Sequence, residues 1–283
     1  MGRAMQAKPR RSRAPRWRAG TASSIAWQAE QASLQSSLLT LPTAQAYAYS
    51  VSWTLPPRSI VPALDTPSLD VLRTIVDATS AEPLVGAYKV GFSLALRYGL
   101  PRVIGEVRRL TTKPVIYDHQ KAGTDIPDTG AAFAAVLKDA GCEAAILFAL
   151  AGPNTLTAWV EACQSCGLHV IVGAEMTHPR FLEEEGGSMS RKNAEAAYKL
   201  AQSLGVSSFV VPGNRPERIR FYRELLGPDV VFFSPGLVTQ GGELSAAAEA
   251  AGGSWHAIVG RALLDSSDPK AATRSLVAGL QAG

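Results

Sequence analysis

Cysteine is scarce in this 283-residue chain, and the three present, Cys142, Cys163 and Cys166, cannot all pair with one another. That excludes a disulfide-built domain and favours a reducing, cytoplasmic setting. Cys163 and Cys166 do form a C-x-x-C, but inside the helical-looking run TLTAWVEACQSCGL and with no second ligand pair. They are read as small buried side chains rather than as a redox or metal site. Histidine is also scarce, at four, and no His/Cys/Asp cluster has metal-ligand spacing. No cofactor fingerprint is present either, so neither a metal nor a cofactor is expected. No run of 18 or more apolar residues occurs, which excludes a membrane-spanning helix.

Acid is nearly missing from the first 58 residues. They hold eight Lys/Arg against the single acid Glu30, a net +7 within a chain of +4 overall. The remainder is therefore slightly acidic, which argues against a nucleic-acid surface there. The Arg-, Ser- and Ala-rich leader superficially suits an organelle transit sequence. Its apolar stretch from Leu38 to Leu55 is broken by Pro42 and lies far from the basic start, which suits a secretory signal poorly. Residues 1–58 are read as a disordered basic extension, or as residues ahead of the true start, in preference to a targeting or nucleic-acid-binding segment.

What is present in abundance, from Ser59 onward, is alternation. Short β-branched runs at residues 59–65, 86–91, 114–118, 144–149, 169–175, 207–213, 230–236 and 256–261 are separated by Ala/Leu-rich stretches such as PSLDVLRTIVDAT, TGAAFAAVLKDAG and NAEAAYKLAQSLG. The runs are apolar throughout, as strands buried on both faces are. Two of these helical stretches close on a glycine in the position that ends helices. Eight strand–helix units over residues 59–283 predict an α/β fold, a (β/α)8 TIM barrel. An open doubly wound sheet is the alternative, but it calls for a glycine-rich turn after the first strand, where Leu64-Asp65-Thr66-Pro67 stands instead.

In such a barrel the chemistry sits at the carboxyl ends of the strands. Those ends carry Asp65, Lys89, Asp118 with Lys121, Glu175-Met176-Thr177, Pro212-Gly213, Ser234-Pro235-Gly236 and Gly260-Arg261. The segment DHQKAGTDIPDT, residues 118–129, brackets Lys121 between Asp118 and Asp125. Flanking carboxylates hold an ammonium in its charged form and aim it. The second constellation is SPGLVTQGG, residues 234–242, followed by Arg261. Loops after strands 7 and 8 commonly build a phosphate site from backbone N–H groups and a charged clamp.

These residues resemble the orotidine 5′-phosphate decarboxylase family. The likeness runs from about Ile60 to Leu280 and is carried by LD at Asp65, KVG at Lys89, DHQK…DIPDT, AEMTHP, VVPGNRPER, SPGLVTQGG and IVGRAL. It implies that Lys121 donates the proton to C6 of the pyrimidine, with Asp118 beside it against the departing carboxylate. It implies that Asp125 and Thr129 reach into a neighbouring subunit's site, so that the protein is a homodimer with shared sites. Asp65 and Lys89 would bind ribose hydroxyls, Lys89 also pairing with Asp118. Thr177 would hydrogen-bond the ring, Gln240, Gly260 and Arg261 would hold the phosphate, and Ile126, Pro212 and Gly241 would complete the substrate contacts.

The most familiar family pattern is D-x-K-x-x-D-I-x-x-T, whereas this chain has one more residue on each side of the lysine. In an extended chain, positions i and i+2 share a face and positions i and i+3 do not, so Asp118 and Lys121 converge only through a bulge or turn. His119, the added polar group, is read as structural. The stretches EEEGGSMSRK, residues 183–192, and 213–218 are candidate lids, the first equally a plain surface loop. Two other readings stand beside the decarboxylase: a Mg2+-dependent sugar-phosphate synthase or decarboxylase of the same barrel group, and an inactive barrel that binds phosphorylated ligands.

Overall fold

The computed structural model describes residues 53–119, 123–237 and 243–281. Contacts divide the chain into residues 1–50 and 51–283. The leader expected over residues 1–58 lies outside the described residues up to Ser52, as do Lys121, Gln240 and Gly241.

Among the described residues eight strands form: β1 (Arg58–Leu64), β2 (Tyr88–Gly91), β3 (Val115–Asp118), β4 (Ala144–Phe148), β5 (His169–Gly173), β6 (Ser208–Val210), β7 (Val231–Ser234) and β8 (Trp255–Val259). They pair in parallel, in chain order, and β8 closes on β1. This is the predicted (β/α)8 barrel. The strands end up to three residues before their predicted limits, so Asp65, Glu175, Gly213 and Arg261 lie just past the ladder, where side chains are free of strand pairing.

The connecting helices are α1 (Leu69–Thr79), α2 (Phe92–Tyr98), α3 (Leu100–Arg108), α4 (Gly130–Asp139), α5 (Pro153–Ser165), α6 (Arg191–Ser203), α7 (Pro216–Leu226), α8 (Leu244–Ala251), α9 (Arg261–Leu264) and α10 (Pro269–Gln281). In α1, Ser68 caps the N-terminus by accepting from Val71 N–H, and Leu69, Leu72, Ile75 and Val76 make the buried stripe. The glycines after α4 and α6, Gly141 and Gly205, adopt φ of 87° and 82°, the left-handed ending foreseen for both. No helix of the described residues is long and apolar enough to cross a membrane.

Apolar residues on both faces of each strand explain the absence of alternation in the sequence. Ile60, Leu64, Tyr88, Val90, Leu147 and Val172 face the helices, whereas Val61, Ala63, Ala87, Ile116, Ala144, Ile146 and Ile171 fill the barrel. Cys142 and Cys163 are buried among the outward set, burial pushing each thiol up to about 12, which suits the reading of them as packing groups.

The floor of the barrel corrects the sequence boundary at Ser59. The small residues Ser59, Ala87, Ala144 and Ser208 leave room there, and aromatic rings take it. Trp53 stacks on His169 with ring centroids 4.3 Å apart and an interplanar angle of 16°, and it also meets Phe233. Pro57 O accepts from Trp255 N–H at 2.9 Å. Residues 53–58 therefore belong to the barrel, although a lone tryptophan carries no periodicity by which to place it.

Beneath Trp53, His256 Nδ1 shares a 2.8 Å hydrogen bond with Ser59 Oγ, and His169 Nε2 one of 2.8 Å with Ser208 Oγ. Burial lowers His169 to about 4; burial, and then the nearby His169, lower His256 to about 3.

Removal of residues 1–52 is expected to leave the melting temperature unchanged, whereas Trp53→Ala should destabilise the barrel by roughly 2–4 kcal/mol, as loss of a large packed ring does. Denaturant unfolding of the two variants checks this. The histidines add a pH dependence. Their folded pKa values lie below the unfolded value of about 6.5, so the unfolded chain binds protons first as pH falls. Their contribution is fully present above pH 6.5 and is lost as pH drops through 4 toward 3. Denaturant midpoints should fall between pH 7 and pH 4, and His256→Gln should flatten that slope.

Candidate active site

Strand alternation sets the charged end of the site. Val61 and Ala63 face the barrel interior, so Asp65 continues that face; Ala87 carries it to Lys89, and Ile116 to Asp118. Three adjacent strands thus deliver an ammonium between two carboxylates. Lys89 Nζ lies 2.9 and 3.0 Å from the two oxygens of Asp65, and 3.0 Å from Asp118 Oδ2. The lysine side chain is 5% exposed, Asp118 15% and Asp65 33%. Burial acts to lower the Lys89 pKa, but the charges of Asp118 and Asp65 and their hydrogen bonds outweigh it, so the net shift is upward and the ammonium stays charged.

This array forms one wall of a cavity of about 340 Å3. Ile146, Phe148, Val210 and Ile258 make its apolar floor, and Thr177, Pro235, Gly236, Leu237, Gly260 and Arg261 line the remaining rim. Gly173 is part of the design, since a Cβ there would stand 3.0 Å from the Phe148 ring. Gly236 turns the chain with φ of 88°, in the left-handed region. A cavity with a carboxylate–ammonium array at one wall and a free arginine at another suits a small ligand with an anion remote from its reacting end.

Of the sequence-predicted residues, Asp65, Lys89, Asp118, Thr177, Gly260 and Arg261 meet in this cavity. Lys121, Gln240 and Gly241 fall outside the described residues. Pro212 is buried beside the cavity without lining it, its carbonyl accepting from Arg215 N–H. Asp125, Ile126 and Thr129 do not line it either. Their segment is fixed to α5, for Thr155 Oγ1 donates to Asp125 O at 2.9 Å and Trp159 Nε1 to Ile126 O at 3.1 Å. Gly130 sits against Trp159, where a Cβ would come within 2.8 Å. Asp125 and Ile126 are held outward, Ile126 at 58% exposure. His119 bonds the Tyr117 hydroxyl, which packs on the helix side of β3 with Phe133, and it does not line the cavity.

Sequence reasoning left out a buried ionic network behind Thr177. The Glu175 carboxylate accepts from Arg218 Nε at 3.1 Å, from Arg218 Nη2 at 2.6 Å and from the Tyr222 hydroxyl. Its signal was on view, in an acid at the end of β5 and the arginines of NRPER, but only folding brings them together.

A family model described as Orotidine 5′-phosphate decarboxylase / HUMPS family matches residues 58–276. The chain is 35% identical over 205 residues to an orotidine 5′-phosphate decarboxylase of Methanosarcina mazei, covering 72% of this chain and 88% of that one. With that of Pyrococcus furiosus it shares 31% over 217 residues, 77% and 95% of the two chains. A crystal structure of orotidine 5′-monophosphate decarboxylase from Methanocaldococcus jannaschii, complexed with inhibitor BMP, superposes with a TM-score of 0.70 at 27% identity, over 80% of this chain and 99% of that one.

Lys89→Met would leave Asp65 and Asp118 facing each other without the cation. Breaking a fully buried pair costs about 3–5 kcal/mol; with Asp65 one-third exposed, roughly 2–4 kcal/mol is expected near pH 7. Urea midpoints of variant and parent at pH 7 measure the loss, and an unchanged midpoint would remove the electrostatic explanation.

Proposed function

We infer the activity from a plain premise: the chain belongs to the orotidine 5′-phosphate decarboxylase / HUMPS family. The protein converts orotidine 5′-phosphate to uridine 5′-phosphate and CO2, a step of pyrimidine biosynthesis. The observation that carries this reading is Lys89 held between Asp65 and Asp118 in the same cavity as Thr177 and Arg261. Among the sugar-phosphate enzymes of the barrel group a divalent cation does the electrostatic work. Here an ammonium already fills the space between the two carboxylates, which favours the decarboxylase over that alternative.

In our assignment Arg261, Gly260, Gln240 and Gly241 bind the phosphate, with Pro212 packed behind that rim. Asp65 and Lys89 take the ribose hydroxyls and Thr177 the ring. Cleavage of the bond from C6 to the carboxylate releases CO2 and leaves the electron pair on C6, in an orbital that no ring carbonyl delocalises. Stabilisation has to be electrostatic. Asp118 faces the departing carboxylate and disfavours the ground state, while the Lys121 ammonium stabilises the carbanion and then transfers a proton to C6. Binding energy from the remote phosphate is used to enclose the reacting end.

A second subunit completes the site in this reading. Asp125, Ile126 and Thr129 do not line their own cavity, and the exposed apolar residues Phe92, Leu96, Ile126 and Leu150 follow β2, β3 and β4 at one end of the barrel. We assign this face to a homodimer in which Asp125 serves the partner's Lys121. A cytoplasmic setting agrees with three free thiols.

Incubation with orotidine 5′-phosphate should produce the ultraviolet spectrum of the uridine product, undiminished in EDTA. Loss of turnover in EDTA would favour the metal-dependent alternative, and no turnover under any condition the inactive barrel. Arg261→Ala should lower kcat/KM by roughly 2–5 kcal/mol, as loss of one partner of a desolvated charge pair does. It should hardly change turnover of the nucleoside orotidine; equal loss on both substrates would assign Arg261 another role.

The shared site has its own test. Lys121→Ala and Asp125→Ala homodimers should each be severely impaired. After subunit exchange, half of the dimers are mixed and each mixed dimer has one intact site, so activity should return to roughly a quarter of the parent. With exchange demonstrated by differently tagged subunits, no recovery would mean that both residues serve one barrel.

A further inference from the structure

Glu175 lies two residues past β5, and its side chain has no solvent exposure. Beyond Arg218 and Tyr222, a third donor approaches it: Arg215 Nη1 lies 3.8 Å from Glu175 Oε1 and also hydrogen-bonds Glu185. Arg215 therefore stands between two carboxylates, one in the body of the barrel and one in the turn Glu183–Glu185. Nearby, Asn214 Nδ2 donates to Thr177 O at 3.1 Å. The Tyr198 hydroxyl accepts from Ala174 N–H and Glu175 N–H and donates to Val210 O at 2.7 Å. The chain leaving β5 is thus pinned from α6, α7 and the turn ahead of α7.

The turn that Arg215 grips is itself well ordered. Leu182 is buried and bridges to Met189. Glu183 N–H donates to Met189 O, Met189 N–H to Phe181 O and Gly187 N–H to Leu182 O. Gly187 is packed so closely that a Cβ would come within 2.3 Å of two carbonyl oxygens. Phe181 meets the edge of Phe148, whose ring lines the cavity. Residues 178–190 are a preformed cap, and Glu185 is where it is fastened.

A buried ion pair is weak evidence for added stability, because desolvation offsets most of its attraction; its better-attested use is to fix one register among several. Here the groups fixed are the Thr177 loop and the cap, both at the rim of one cavity. We propose that Arg215 is a positioning residue: by joining Glu175 to Glu185 it sets Thr177 and the cap over the ring-binding end of the site without touching the substrate. This rests on the decarboxylase reading above, in which Thr177 contacts the pyrimidine.

The test uses Arg215→Met, Glu185→Gln and the double variant, since Glu175 is too deeply buried to replace safely. Each single change should lower kcat/KM for orotidine 5′-phosphate about ten-fold, and the double change should be no worse than either, as for two halves of one contact. Inhibition by ribose 5-phosphate, which engages the phosphate rim and the ribose-binding Asp65 and Lys89 but has no ring for Thr177 to hold, should stay within two-fold of the parent. Hydrogen exchange at residues 183–189 should quicken equally in all three variants while the melting temperature holds. Additive losses, unchanged kinetics, or a proportional weakening of ribose 5-phosphate would overturn the proposal. If the parent protein itself did not turn over orotidine 5′-phosphate, the decarboxylase reading would fall; the exchange data would still decide whether Arg215 fastens the cap.

Discussion

Keeping an ammonium and two carboxylates together at the mouth of a barrel requires three strands in strict register. Ala63 pairs with Lys89 across β1 and β2, and Gly91 with Asp118 across β2 and β3. A slip of one residue in any strand would turn its charge outward into the apolar layer beneath the helices, where an unpaired charge is prohibitively costly. The outward set, Leu64, Val90 and Tyr117, makes the same demand from the other side. Charge and packing therefore agree on a single alignment, and the Asp65–Lys89–Asp118 array depends on that agreement.

The two ends of the barrel solve different problems with the same period of two. At the lower end small side chains leave a gap that Trp53, Phe233 and two neutral histidines close, so that this end is given over to packing. At the upper end Ile146, Phe148 and Ile258 stop short of the rim, and the cavity opens among charges. Stability and chemistry are separated along the strand axis, which lets the rim carry a buried lysine and a free arginine while the floor supplies packing energy.

Loops finish the rim in two ways. The chain after β3 is clamped to α5 by Thr155 and Trp159, which hold Asp125 and Ile126 away from their own cavity. The chain after β5 is held inward by Tyr198, Arg218 and, through Arg215, by its own cap. One loop is held away from its own cavity, the other is tied over it, and each is fixed by side chains that do not themselves line the cavity.

Eight apolar runs spaced by helical stretches pointed to the barrel, because strands covered on both faces lose their alternation and the first strand lacks the glycine-rich turn that an open doubly wound sheet calls for. The strand ends likewise marked Asp65, Lys89, Asp118, Thr177 and Arg261, since a barrel concentrates its chemistry there. Trp53 was legible only in the fold: a single aromatic has no period, and its partners His169 and Phe233 lie more than a hundred residues away. The outward turn of Asp125, and the meeting of Glu175 with Arg215 and Arg218, were decided in the same way. Sequence spacing reports periodicity along one element, whereas the partner of a buried charge or ring is chosen by which elements pack side by side.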